Sequence, residues 1–454
     1  MQYFGMLWVI LTENSKFATD MKKMNGTVIA LMMATMMLVG CSSNNDVDEP
    51  QEPVVNIPVP DLPTTLDLTR AEQEMVSSSN DFAFNLFREA RDVKESQILS
   101  PISITYALGM LNNGAAGETQ EQINKVLGFT ETGAAGINDF CYKMLQRAST
   151  LDEKTKVLIS NNIYVNTDWG YNLYPDFVST AKAYYNAEPE SRSFSDGKTR
   201  DVINQWGSDH TEGMIKEVLK EDEFDPSFVS YLLNAIYFNG TWAKKFDKNL
   251  TQKENFEHAG TTKELMYRPM MHQMEEFDYT ETETFQAIRL PYGNGAYQMT
   301  VLLPIIVEDG EVQTGEDINK ILTSLTAESW QQIQQQMSPT TVDLKLPRFE
   351  SDTNINLIPI MQKLGMTRAF NEDLAQFPYF CPPLQTWIGI MKQVAKIKLD
   401  EEGTEAAAVT VIGVDGKASS IPQYVTFHAN HPFLYVISEK ATGAIFFIGQ
   451  YTGY

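Results

Sequence analysis

Residues 102–111 are apolar nearly all round, and Ser100 followed by Pro101 fits a helix cap with proline in the first turn, so a buried helix is predicted there. Downstream, Ile123, Val126 and Leu127 share one helical face, Thr119 and Gln122 have the spacing of a capping box, and Gly128 reads as the stop. Later the pattern changes. Residues 232–238, 298–303, 342–346, 433–437 and 444–448 are short apolar runs bounded by turn residues, which predicts strands, the last two joined as a hairpin through 439–443. A helix-rich first half and a strand-rich second half predict an α+β fold.

The N-terminus follows neither pattern. Lys22 and Lys23 precede an apolar run over 28–39, which suits a signal-peptide core and falls short of the roughly 20 residues that span a membrane. It closes on Leu38-Val39-Gly40-Cys41, similar to the lipobox of bacterial lipoproteins, so residues 1–40 are expected to be a signal peptide, its true start at Met21, and Cys41 the lipidated residue. An ordinary signal peptide ending at Cys41 is the plainer alternative. Residues 41–68 hold Pro50, Pro53, Pro58, Pro60 and Pro63 with six acids and no base, a composition that cannot build a core and predicts an extended tether. Asp46, Asp48 and Glu49 resemble surface-export signals of some Gram-negative lipoproteins. The expected location is therefore the cell envelope: a lipid-anchored protein of the outer membrane, periplasmic or surface-exposed. Nothing after Thr69 repeats the tether's composition, and no internal period recurs, so 69–454 is expected to be one large domain.

Charge and cysteine usage narrow the functions. With 59 acidic against 35 basic residues the net charge is −24, which repels phosphate backbones and argues against nucleic-acid binding. The only membrane contact expected is the lipid anchor. The three cysteines, Cys41, Cys141 and Cys381, form no CxxC pair, and Cys141 and Cys381 read as buried thiols rather than nucleophiles.

Catalytic and cofactor signatures fail in turn. His210, His258, His272, His428 and His431 show no metal-ligand spacing, and there is no GxSxG elbow, so neither metal nor hydrolase chemistry is expected. Gly197-Lys198-Thr199 looks like the end of a phosphate loop, but Arg192 stands where the loop's first glycine would be. Gly293-Asn294-Gly295 lacks the third glycine of a dinucleotide turn and reads as a hairpin tip. No cofactor is expected.

One segment has no ordinary core explanation. Residues 400–410 combine three leading acids, Gly403 and a run of small residues. From Thr404 every second position, Thr404, Ala406, Ala408, Thr410, Ile412 and Val414, is small or apolar, while Glu405 and Asp415 fall on the other parity. A strand inserting one face into a core needs that parity. The start of an alanine-rich helix over 402–410 is the alternative.

Glu401-Glu402-Gly403-Thr404-Glu405-Ala406-Ala407-Ala408 resembles the reactive-loop hinge of the serpins almost residue for residue. Further resemblances follow in order along the chain: Ser100-Pro101-Ile102-Ser103, Gly114-Ala115-Ala116-Gly117-Glu118-Thr119, Asn234-Ala235-Ile236-Tyr237-Phe238-Asn239-Gly240-Thr241-Trp242, Leu290-Pro291-Tyr292, Leu346-Pro347-Arg348-Phe349 and Asn430-His431-Pro432-Phe433. The resemblance implies a single α+β domain with three sheets, eight or nine helices and an exposed reactive-centre loop. It further implies a monomeric suicide inhibitor, not an enzyme, that forms a covalent 1:1 complex with serine or cysteine endopeptidases. The loop is cut as a substrate and inserts into the main sheet before the acyl-enzyme is hydrolysed.

By the same resemblance Ser100, Ser103 and Asn234 lie where the sheet opens and Trp242 near the loop's entry, although each could equally be a cap, a buried polar group or a core aromatic. Gln393 stands where many serpins have a histidine, and it too can donate and accept. Thr410 closes the hinge. Counting from Glu401 puts the scissile bond between Lys417 and Ala418, whereas counting back from Phe427 puts it between Ser419 and Ser420. A non-inhibitory serpin-like carrier, chaperone or adhesin is the alternative function. Such members usually carry bulky, charged or proline residues in the hinge, and Thr404, Ala406, Ala408 and Thr410 are none of these.

Overall fold

Thr69 caps the first helix of the computed structural model, which describes residues 65–454 except 149, 258–265, 306–313, 383–384 and 405–423. Its hydroxyl accepts the Glu72 amide at 3.3 Å while Glu72 accepts the Thr69 amide at 2.7 Å, a reciprocal cap on α1 (Arg70–Ala90). Leu66, placed in the tether by composition, is buried against the core.

In chain order there follow β1 (Gln97–Leu99), α2 (Pro101–Asn112), α3 (Gly117–Leu127), α4 (Gly133–Ala148), β2 (Thr155–Asn166), α5 (Pro175–Tyr185), β3 (Glu190–Arg192), α6 (Thr199–Asp209) and β4 (Ser230–Thr241). The second half holds β5 (Gln252–Phe256), β6 (Met266–Glu281), β7 (Phe285–Pro291), β8 (Tyr297–Pro304), α7 (Thr314–Ser324), α8 (Ala327–Gln336), β9 (Ser338–Pro347), β10 (Phe349–Asn356) and α9 (Ile358–Lys363). The chain closes with β11 (Ile390–Asp400), β12 (Gly403–Thr404), β13 (Val425–His428), β14 (Phe433–Glu439) and β15 (Ile445–Tyr451).

The smaller sheet has strand order β10-β11-β12-β4-β2-β3. The larger has order β1-β15-β14-β8-β7-β6-β9-β13 with β5 on β6. The third sheet implied by the resemblance is one end of this larger ladder, joined to the rest by the long β6. That strand pairs with β5 and β9 over most of its length and with β7 only at residues 278–281.

Every residue of α2 is buried, as its all-round apolar pattern predicts. Ser100 stands at its N-cap, but its hydroxyl donates to the Phe446 carbonyl at 2.7 Å instead of capping, and so ties the helix start to β15. The capping box proposed for Thr119 and Gln122 does not form. Ala116 is the N-cap of α3, so Thr119 lies inside the first turn and accepts the Gln376 amide at 3.0 Å. Gln122 accepts the amides of Thr367 and Arg368, each at 2.9 Å. Both side chains hold a segment far away in sequence. Gly128 does end the helix, in the left-handed conformation at φ 78°.

β4 is an interior strand of the smaller sheet, the main sheet of the resemblance, and its run of apolar residues follows from burial on both faces. Leu232, Ile236 and Phe238 enter the main core, while Tyr231, Leu233 and Ala235 pack with Ile203 and Trp206 of α6 on the opposite face. Asn234 has the parity of the first set. It is the polar member of a core-facing row.

Candidate functional site: the opening between two strands of the main sheet

β4 and β11 run parallel, paired over 231–237 and 390–396. Beyond that stretch they part, and β12 fills the gap, antiparallel to both: Gly403 lies opposite Asp400 and Thr241, and Thr404 opposite Leu399 and Gly240. Only glycine fits at 403. Its φ is +141°, and a Cβ there would lie 2.7 Å from the Thr241 Cα and closer still to the Gly240 carbonyl.

The turn that starts this insertion is bolted down by charge. Glu401 is 1 % exposed, pairs with Arg348 and accepts the Thr251 hydroxyl at 2.6 Å, while its carbonyl accepts the Phe246 amide at 3.0 Å. Glu402 pairs with Lys245 at 2.8 Å and Lys248 at 3.0 Å. Burial pushes the Glu401 carboxyl up, but hydrogen bonds from Arg348 and Thr251 outweigh it and hold the group below its ordinary value. Glu402 is likewise held low, its lysine partners outweighing burial.

Aromatic side chains roof the inserted residues. The Trp242 indole stacks on Tyr292 at 4.4 Å and donates to the Asp400 carbonyl at 2.9 Å, while the Trp242 amide donates to the Glu402 carbonyl at 2.8 Å. The Tyr292 hydroxyl meets the Thr404 hydroxyl at 3.0 Å, and full burial drives its phenol pKa up. Thr404 points into this pocket and is 1 % exposed.

Deeper along the same seam lies a buried polar network. Gln393 of β11 and Asn234 of β4 are register partners, and the Gln393 amide donates to Asn234 Oδ1 at 2.7 Å, to Ser103 Oγ at 3.0 Å and to the Ser100 carbonyl at 3.0 Å. Gln393 Oε1 accepts the Ser100 amide at 2.9 Å. The Ser103 hydroxyl donates to Asn234 Oδ1 at 2.7 Å, and Asn234 donates to Asn161 Oδ1 of β2 at 2.8 Å. All these side chains are buried, so a member removed alone leaves its partners unpaired at about 1–3 kcal/mol each. The network spans the two strands at the point where they would have to separate.

Gly403 and Thr404 are thus seated as a short strand between two diverging strands. Comparison with known proteins shows the family. The family model described as "Serpin (serine protease inhibitor)" matches residues 77–453. The chain belongs to the serpin family. Human Serpin B3 is 32% identical over 392 residues, covering 82% of this chain and 97% of its own length. The leukocyte elastase inhibitor of Xenopus laevis is 30% identical, covering 84% and 99%. Among solved structures, the thermophilic serpin tengpin in its native state superposes with a TM-score of 0.75 at 29% identity, covering 85% of this chain and 95% of that one.

The structure brings Ser100, Ser103, Asn234 and Gln393 into one network and sets Trp242 over the turn that holds Glu401, Gly403 and Thr404. Glu405, Ala406, Ala407, Ala408, Thr410, Lys417, Ala418, Ser419 and Ser420 lie outside the described residues, as does Cys41. Sequence reasoning missed Asn161, Thr251, Lys245 and Lys248. None lies in a segment recognised as part of this serpin's hinge, and only the fold brings them to it. Arg348 was within a recognised motif, but nothing there marked it as the partner of Glu401. Cys141 and Cys381 are free and buried, and burial pushes the Cys381 thiol up to about 12. Among the described residues no group of His, Cys, Asp or Glu side chains is arranged to hold a metal ion.

Proposed function

We propose that this serpin is a suicide inhibitor of serine endopeptidases, and of cysteine endopeptidases with compatible clefts, acting as a monomer that forms a covalent 1:1 complex. The observation that carries this reading is β12, which pairs with β4 on one side and β11 on the other. For the strand to grow past Thr404, the parallel pairs between β4 and β11 must open and the Gln393–Asn234 bond must break. Successive added residues then bond alternately to one neighbour and to the other. About ten such bonds at about 0.5–1.5 kcal/mol net release on the order of 10 kcal/mol, enough to drag an acylated protease along with the cut loop. The form with the loop excluded is accordingly a kinetically trapped one. The family description and the name of the Xenopus relative both point to proteases as partners.

The test is incubation of the purified domain with trypsin-like, elastase-like, subtilisin-like and papain-like proteases, followed by denaturing electrophoresis. The expected result is a band that survives denaturation at the summed mass of inhibitor and protease. A panel that yields only clipped serpin and fully active protease overturns the proposal.

The same reading extends to location. Lipidated Cys41 followed by the acidic, proline-rich stretch would hold the domain off an outer membrane, in the periplasm or at the cell surface, where it meets proteases.

A further inference from the structure

The seam between β4 and β11 has a second face. Ile390 and Val394 of β11 pack with Tyr231, Leu233 and Ala235 of β4 in the smaller cluster that includes α6. Lys392, between Ile390 and Val394 and opposite Leu233, has the same parity. A lysine is out of place in that row. It is 2% exposed, and burial pulls its ammonium below the ordinary value while Glu223 pulls the other way. The ammonium donates to Glu223 Oε2 at 2.5 Å, and the Glu223 side chain is about one-third exposed (30%).

Glu223 belongs to the segment that leads from α6 to β4. It closes a 3-10 turn over 221–223, where the same oxygen also accepts the Lys220 amide at 2.9 Å. Two residues on, the Asp225 backbone is clasped by Tyr231: the Asp225 amide donates to the Tyr231 hydroxyl at 2.7 Å, and that hydroxyl donates to the Asp225 carbonyl at 3.0 Å. Phe224, between them, stacks on the Tyr231 ring with centroids 5.7 Å apart. The segment thus holds β11 at one residue and β4 at the next but one, on the face away from the Gln393–Asn234 bond. Ile390 and Tyr231 begin the paired stretch, at its end farthest from β12.

Two residues of chain span at most about 7 Å, against about 4.8 Å between neighbouring strands, and admitting a further strand doubles that separation. We propose that residues 223–225 are a strap across the far end of the seam, fastened to β11 by the Lys392–Glu223 ion pair and to β4 by Tyr231, and that the strands part at this end only after one fastening lets go. Parting that starts at β12 breaks the Gln393–Asn234 bond first and meets the strap last. A strap differs from two separate stabilising contacts in one respect: neither fastening holds the strands together without the other.

The strap deepens the reading in which β4 and β11 must part, and its test uses no protease, so its failure and the failure of that reading are told apart. The measurement is native-state hydrogen exchange of the intact protein at neutral pH, read on a peptide spanning residues 390–396, with residues 433–439 of β14 as the control for global unfolding. Glu223→Gln weakens the β11 end and Tyr231→Phe releases the β4 end. Each should raise the opening of 390–396 about tenfold and leave β14 unchanged. The double variant should open no more than the looser of the two single ones. Lys392→Met, which replaces the buried ammonium by an apolar chain, takes the place of Glu223→Gln if that variant does not fold. Single variants that exchange like the parent, or a double variant whose effect is the product of the two single ones, overturn the proposal.

Discussion

Thr404 shows how little room one residue leaves at the opening of the sheet. Its side chain is enclosed by Tyr292 and its backbone is paired on both sides, so a charge placed there would be buried without a partner at a cost of several kcal/mol. Thr404→Arg should therefore leave the loop cleavable but slow its insertion, and each 1.4 kcal/mol added to that barrier costs about tenfold. The measurement is the stoichiometry of inhibition, which should rise at least tenfold. A variant that traps protease as efficiently as its parent would show that this residue does not enter the sheet.

Glu401 and Glu402 give a second prediction at the residue scale. Both carboxyls are held below their ordinary value of 4.5, so the stability they lend is present above that pH and disappears as pH falls through their lower folded values. The turn at 401–404 should stay protected from exchange at neutral pH and lose protection as pH falls below 4.5. Protection that persists unchanged to pH 3 would mean the ion pairs with Arg348, Lys245 and Lys248 do not hold the turn.

Elements differ in how openly the sequence announces them. α2 and β4 were legible because burial on all sides leaves a nearly continuous apolar run, broken within 232–238 of β4 only by Asn234. β2 was not, since Asn161 and Asn162 interrupt its apolar pattern although both are buried, Asn161 in the network with Asn234. The start of α3 was misplaced because Thr119 and Gln122 have cap spacing but spend their hydrogen bonds on Gln376, Thr367 and Arg368. At this scale the reactive loop predicts a conversion of one element into another. Trypsin should cut after Lys417, the only Lys or Arg between Lys398 and Lys440, and release a fragment beginning at Ala418. The cleaved protein should gain a full strand between β4 and β11 and melt more than about 15 °C higher than the intact one. A fragment beginning at Ser420 would favour the alternative bond after Ser419, and an unshifted melting point would argue against insertion altogether.

At the scale of the whole molecule, the proposed attachment is through Cys41. Among the described residues no helix is long and apolar enough to cross a membrane. Mass spectrometry of protein isolated from its native envelope should find an acylated Cys41 as the first residue. A mature chain that begins elsewhere and carries no lipid would remove the anchor from this account.

The sequence by itself determined what depends on local pattern: the buried helix, the two-faced strand, the hairpin over 439–443 and the alternating small residues of the hinge. It also determined the family, because many short motifs in the right order carry information that composition does not. Only the tertiary structure decided which distant residues meet. That Gln393 closes a network with Asn234, Ser103 and Ser100, that Glu401 is answered by Arg348 and Thr251, and that one aspartate joins His272 to His428 depends on strand register and sheet order. Those arise from packing among segments separated by up to hundreds of residues, which no local period records.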